Sequence, residues 1–201
     1  MPPSIESVSA IARNVIAHYR SRAAELPEAT RPDVDLRWVE AILDTDQSRH
    51  GFALHEERPL PQRVQGCCRD HTMLSVAILR AHGVAARSRV GFASYLSPTW
   101  HHDHVIVEAW IGDRWRRFDP EMDSPCPGLA DPTDIVAGDG APFETAAEVW
   151  RAHRRGEIDV GRYGVAEGLG IGGDWFVHGY VIAEVAHRFA TSCCSGTSGA
   201  P

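Results

Sequence analysis

The sequence predicts an α+β domain in which helices are gathered against an antiparallel sheet. Apolar residues recur at helical spacing near both ends of the chain and in the segment that begins at Cys68, whereas strand-like runs follow that segment. The predicted helices cover residues 5–26, 34–43, 68–82, 144–154 and 175–189, and the predicted strands cover residues 84–92, 103–111 and 114–118. An order of helices, strands and helices is typical of the α+β class.

The N-terminal third is predicted to contain two helices followed by a long loop. Ser4 is placed to cap the first helix, in which apolar side chains recur every three or four residues. Residues 44–66 are polar, contain Pro59 and Pro61, and show no sustained periodicity. We therefore expect this stretch to run over the surface as a loop.

The strand region has the turn chemistry of a hairpin. Gly112 and Asp113 separate the last two predicted strands, which are therefore expected to pair in antiparallel fashion. On the first of these strands, a period of two gives His104 and Ile106 the same face of the sheet. Residues 123–142 are rich in Pro, Gly and Asp and are predicted to form a loop.

Length and charge limit the class of protein. A chain of 201 residues with 43% hydrophobic content is expected to build a single domain, over residues 1–190. The net charge of −7 offers no basic surface for phosphates, so neither nucleic acid nor an anionic membrane is an expected partner. The N-terminus lacks a basic start followed by an apolar stretch, and no segment approaches the roughly 18 apolar residues of a spanning helix. These features predict a soluble, cytoplasmic protein.

The cysteines are expected to be free thiols. There are five of them, and two adjacent pairs with one odd cysteine make a poor disulfide framework. Free thiols fit a reducing compartment.

Three residues on neighbouring predicted elements carry the chemistry. Cys68 opens a helix two residues after Gly66, and a helix N-terminus lowers the pKa of a thiol there. His104 lies on a strand, and Asp119 ends the next strand, one hairpin away. A cysteine facing a histidine and an aspartate supplies the nucleophile, base and orienting group of covalent acyl chemistry.

The same residues carry a resemblance to a known family. The run GCCRDHTMLSVAILRAHGVAARSRVGF, followed by DHVIVEAWIGDRWRRFDPE, resembles the core of transglutaminase-like proteins over residues 61–122. In that family the cysteine stands two residues after the glycine, so the resemblance selects Cys68 rather than Cys67. It implies a papain-related fold, with Cys68 on a core helix and His104 and Asp119 on a small antiparallel sheet. It also implies acyl transfer or hydrolysis at an amide, thioester or ester of a peptide or small molecule, with no metal or organic cofactor.

The C-terminal half carries a second part of the resemblance. The segment FETAAEVWRAHRRGEIDVGRYGV resembles a bacterial subgroup of the family. Residues 191–201 depart from the related tails, which end in a Trp-Asp and Trp-Gly segment. We hypothesise that a single-base frameshift near Ala190 replaced the native ending, which resequencing of the gene would test.

Four further residues are candidates for substrate binding. Gln65 precedes the nucleophile as an oxyanion donor does in papain-like enzymes. Trp100, Trp110 and Trp115 are candidates for lining a substrate cleft, although aromatic residues on strands also serve as core.

Two other classes of function remain open from the sequence. A catalytically inactive domain of the same fold would bind a peptide or partner protein and keep Cys68 as an ordinary buried thiol. A metal-binding regulator would use His101, His102 and His104 with the two adjacent cysteines. Alternation along a strand opposes the metal site, because neighbouring residues point to opposite faces and ligands must converge.

Overall fold

Within residues 3–188, five α-helices pack with two small sheets. A computed structural model describes residues 3–188, so the hypothesis about the tail falls outside the described residues. The helices are α1 (Ile5–Val15), α2 (Val39–His50), α3 (Cys68–Ala81), α4 (Ala146–Arg154) and α5 (Asp174–Arg188). The strands are β1 (Ile16–His18), β2 (Val64–Gly66), β3 (Ala86–Ala93), β4 (His101–Ile111), β5 (Arg114–Phe118), β6 (Phe143–Thr145) and β7 (Tyr163–Gly164).

The larger sheet is antiparallel apart from one short edge strand. Its strand order is β5-β4-β3-β6, and β7 pairs in parallel with the start of β4. The β4–β5 hairpin places Val107 opposite Phe118, and β3 places Gly91 opposite His104. The predicted α+β class and the predicted antiparallel hairpin are confirmed.

The N-terminal elements differ from the prediction. The first helix ends at Val15 rather than continuing to residue 26, because Ile16 leaves the helix and pairs with Val64 in the parallel β1–β2 sheet. The second helix is shifted to residues 39–50. Its polar C-terminal half, which was predicted to be loop, contains Asp46, whose carboxylate forms a fully buried ion pair with Arg58. A polar residue that is paired in the interior has the same local pattern as one that faces solvent.

Apolar packing seats α3 and α5 against the sheet. Val107 and Phe118 join a buried cluster that also contains Leu79 of α3. Val105 joins a second cluster, and Cys68 packs against this cluster at the start of α3. The first turn of α3 is thereby fixed beside the middle of β4.

A buried charge network ties the helices to the sheet. Glu108 accepts hydrogen bonds from Arg87 and Arg89, both at 2.6 Å, and Arg89 also donates to Glu184 of α5 at 2.6 Å. Burial alone would raise the pKa of Glu108, but Arg89 and its neighbours lower the pKa. No helix within residues 3–188 has both the length and the apolar character needed to cross a membrane.

Candidate active site

His104 and Asp119 form a buried pair on the β4–β5 hairpin. The Nε2 atom of His104 lies 2.7 Å from Oδ2 of Asp119, and the two side chains are 4% and 1% exposed. The hydroxyl of Tyr95 donates to the same carboxylate oxygen at 2.6 Å, and the backbone N–H of Glu121 donates to Oδ1 at 2.9 Å. Three donors therefore hold the carboxylate, which in turn orients the imidazole.

Charge pairing outweighs burial in this pair. Burial alone would lower the pKa of His104, but the charge of Asp119 and its hydrogen bond raise that pKa to about 9. Burial would likewise raise the pKa of Asp119, yet the charge of His104 leaves it below the ordinary value. Below pH 9 the pair is therefore an imidazolium and a carboxylate. With Nε2 occupied by Asp119, Nδ1 is the ring nitrogen that remains for a thiol.

The start of α3 is built around a capping box that precedes Cys68. The backbone N–H of Cys67 donates to Oδ2 of Asp70 at 2.8 Å, and the Cys67 side chain accepts from the backbone N–H of Asp70. Asp70 also pairs with Arg69 at 2.7 Å. A Cβ atom at Gly66 would lie 2.9 Å from the carboxylate of Asp70, so glycine is required here for space. Asp70 and Gly66 therefore shape the helix start on which Cys68 stands.

Contacts between α3 and β4 place the start of α3 beside the strand that carries His104. Thr72, one turn after Cys68, donates its hydroxyl to the carbonyl of Val105 at 2.8 Å, next to His104. The Cys68 thiol interacts electrostatically with the hydroxyl of Tyr95, which is bonded to Asp119. The first turn of α3, which carries Cys68, thus packs next to the strand residue that follows His104.

The thiol of Cys68 is not activated by the helix start, contrary to the expectation from sequence. A hydrogen bond with Cys67 and burial raise its pKa well above the ordinary value, and the negative charges of Glu121 and Asp103 add to this. The hydrogen bond with Cys67 and the burial of the thiol therefore outweigh the effect of the helix N-terminus. The thiol of Cys68 is therefore neutral at physiological pH.

Gln65 is occupied elsewhere. Its side-chain amide donates to the carbonyl of Pro27 at 2.7 Å and to the hydroxyl of Thr30 at 2.8 Å. Both N–H groups of the amide are therefore used to hold the segment that follows β1. In this arrangement Gln65 does not present a donor to a substrate.

The three predicted tryptophans lie at opposite ends of β4. Trp110 is six residues beyond His104, which corresponds to about 20 Å along a strand. Its ring packs edge-on against the ring of Trp115, with the ring centroids 5.7 Å apart. These two residues are at the far end of the hairpin from the pair. Trp100 precedes β4, and its indole N–H donates to the carbonyl of Gly164 at 3.1 Å. Of the three, Trp100 is the one on the same end of the strand as His104.

Four residues near the site were not selected from the sequence. Tyr95 and Glu121 hold Asp119 through their hydrogen bonds, and Tyr180 donates to Asp103 at 2.5 Å. His18, at the end of β1, interacts electrostatically with His104. The partners of Tyr95, Tyr180 and His18 lie on segments that are distant in sequence, so no local periodicity could have indicated them. Glu121 is only two residues from Asp119 and bonds to it through its backbone, which no side-chain pattern shows.

The three neighbouring histidines of β4 do not converge. His101 stacks on Tyr163 with ring centroids 4.1 Å apart, and His102 lies with Nδ1 2.9 Å from the carbonyl of Val165. His104 is held by Asp119. Within the part of the chain that the structure describes, no three His, Cys, Asp or Glu side chains are placed to hold a metal ion.

Comparison with known proteins identifies the family. The family model described as the transglutaminase-like superfamily matches residues 2–120. No curated protein matches the chain. Among solved structures, a candidate cysteine protease from Cytophaga hutchinsonii is similar with 22% identity over 55% of this chain and a TM-score of 0.29. The matched region spans 48% of that structure, and a likeness this low says nothing about the chemistry of this chain. The family match covers more than half of the chain, and the protein belongs to the transglutaminase-like superfamily.

Proposed function

We propose that the protein is a cysteine-dependent enzyme that transfers or hydrolyses acyl groups through an acyl-enzyme on Cys68. The observation that carries this proposal is the buried His104–Asp119 ion pair beside the start of the helix that bears Cys68. A charged imidazole in a largely dry environment is the counter-ion that a thiolate requires. The substrate is a peptide or small molecule with an amide, thioester or ester group.

The protonation states of Cys68 and His104 set the pH at which the thiol becomes reactive. Near neutral pH the thiol of Cys68 and the imidazolium of His104 hold two protons between them. As the pH rises towards about 9, His104 loses its proton first, because the pKa of Cys68 lies higher. The neutral imidazole then serves as the base that takes the proton of the Cys68 thiol as the sulfur attacks. We therefore propose an enzyme that is most reactive in mildly alkaline solution.

Acylation and deacylation then each proceed through a tetrahedral intermediate, with His104 transferring the proton. The Sγ lone pair of Cys68 forms a bond to the acyl carbon, and the carbonyl π electrons move to oxygen. Collapse of this intermediate breaks the bond to the leaving group, which takes the proton from His104. Water or an amine next attacks the thioester while His104 accepts its proton. Collapse of the second intermediate releases the acyl product, and the departing sulfur takes its proton back from His104.

An inactive binding domain is the competing function. The raised pKa of Cys68 favours it, because a thiol that stays neutral is a poor nucleophile. In this case the domain would bind a peptide or partner protein, and His104 and Asp119 would serve only to stabilise the hairpin.

Alkylation separates the two functions. We would measure the rate of modification of Cys68 by iodoacetamide from pH 6 to pH 10 by mass spectrometry, with Cys126 of the same molecule as the reference thiol. The enzyme proposal requires that His104→Ala move the Cys68 profile to higher pH while the Cys126 profile stays unchanged. It also requires transfer of an acetyl group from p-nitrophenyl acetate to Cys68. A Cys68 profile that is identical in parent and variant, with no acetylation, would establish the binding domain.

A further inference from the structure

His18 is held beside the strand that leads into the nucleophile. It is the last residue of β1, and the parallel β1–β2 pairing sets it opposite Gly66. The backbone N–H of Tyr19 donates to the carbonyl of Gly66 at 2.9 Å. The ring of His71 on α3 lies between the carbonyls of Cys67 and Ile16, at 3.0 and 3.2 Å. These contacts fix β1 against the first turn of α3.

The backbone around His18 selects one tautomer of its ring. Nδ1 accepts the backbone N–H groups of Arg20 and Ser21, at 3.2 and 3.3 Å. A nitrogen that accepts two N–H groups carries no proton, so the neutral ring bears its hydrogen on Nε2. Within residues 3–188, that Nε2–H group has no protein acceptor. A donor of fixed orientation is therefore available.

The ring also stays neutral at physiological pH. Burial lowers the pKa of His18, and although Glu121 opposes this, the charges of His71, His104 and Arg20 lower it further. Protonation of Nδ1 would in addition set it against the two N–H groups that it accepts. A neutral imidazole whose N–H faces a reacting group acts as an electrophile and loses no proton to it.

Oxyanion stabilisation is the role that this donor fits. His18 lies opposite Gly66, two residues before Cys68, and it interacts electrostatically with Glu121, whose charge also acts on Cys68. Attack by Cys68 places negative charge on a carbonyl oxygen, and this oxygen requires donors near the helix start. Gln65, which holds the position expected of such a donor, is bonded to Pro27 and Thr30 instead. We propose that the Nε2–H of His18 donates to the oxyanion formed on Cys68, a role that rests on the proposed acyl chemistry.

Two substitutions of His18 separate its two ring nitrogens. In His18→Asn the side-chain oxygen takes the place of Nδ1 and keeps the acceptor for Arg20 and Ser21, whereas the donor at Nε2 is lost. In His18→Gln the side-chain amide reaches the place of Nε2 and restores a donor. His55→Ala removes an exposed histidine and serves as the matched control.

Two probes of Cys68 separate oxyanion stabilisation from a structural role. Acetylation by p-nitrophenyl acetate passes through an oxyanion, whereas alkylation by iodoacetamide displaces iodide at a saturated carbon and forms none. We expect His18→Asn to slow acetylation by on the order of 10²-fold and to leave alkylation unchanged, since loss of one such donor has this effect in other enzymes. We expect His18→Gln to recover a substantial part of the loss, and His55→Ala to behave as the parent.

Each other outcome has a distinct meaning. If His18→Asn acetylates as fast as the parent, or if both probes slow equally and His18→Gln gives no recovery, the oxyanion role is overturned while the enzyme proposal stands. If the parent itself is not acetylated at Cys68, the enzyme proposal fails and the role of His18 fails with it. Circular dichroism of each variant establishes that the compared proteins are folded.

Discussion

The raised pKa of His104 makes a quantitative prediction about stability. The pKa is 6.5 in the unfolded chain and about 9 in the folded protein, so the unfolded chain loses this proton first as the pH rises. The stabilisation is fully present below pH 6.5 and is lost as the pH passes through about 9. Linkage gives a loss of about 2 kcal/mol in the free energy of unfolding between pH 7 and pH 9.

This pH window isolates the pair from other titrating groups. Burial lowers the pKa of His18 and of His101, so their contributions change below pH 6.5. The pKa of Cys68 is raised from an ordinary value of 9.0, and its effect on stability therefore falls mainly above the window. Urea unfolding at half-unit steps of pH, followed by circular dichroism, measures the slope.

Asp119→Asn supplies the control for the same experiment. The variant removes the anion that raises the pKa of His104, so burial then keeps the imidazole neutral and the slope between pH 7 and pH 9 should disappear. A parent whose stability is flat over this range would refute the ionised pair. The same conclusion would hold if the slope persisted unchanged in Asp119→Asn.

Three further predictions concern residues that shape the fold. Arg58→Met should cost roughly 3–5 kcal/mol in urea unfolding, because it leaves the buried carboxylate of Asp46 unpaired, and the Asp46→Leu double variant should recover part of this. Gly91→Ala should abolish soluble folded protein, since the Cβ atom of the alanine would lie 2.0 Å from a carbonyl oxygen of β6. The control Gly179→Ala, which has open space around it, should keep or raise the melting temperature. Gln65→Ala should lower unfolding stability by about 1–2 kcal/mol without slowing acetylation by p-nitrophenyl acetate, and a slower reaction in folded protein would return Gln65 to the site.

The sequence alone predicted the segments that carry the candidate site. The helix that begins at Cys68 and the hairpin from β4 to β5 were predicted to within a few residues, with identical bounds for β5. Hydrophobic periodicity and the turn at Gly112 are local signals, so they can be interpreted without knowledge of the rest of the fold. The family resemblance rested on these same segments, and the family match confirms it.

The tertiary structure decided where the first helix ends and which side chains meet. β1 exists because Ile16 pairs with Val64, and the polar end of α2 is helical where Arg58 neutralises Asp46. Neither partner lies within the few residues over which periodicity acts. Propensity is a weak preference that such long-range pairing overrides.

In the candidate site, too, some features could be predicted from the sequence and others depend on the tertiary structure. His104 and Asp119 were predicted as partners because a hairpin joins them, and they lie 2.7 Å apart. Burial and nearby carboxylates raise the pKa of Cys68, and burial lowers the pKa of His18. Both effects depend on segments that only packing brings together. Sequence fixes which groups are present within an element, whereas the pKa of each group depends on burial and neighbouring charge, and these are properties of the folded chain.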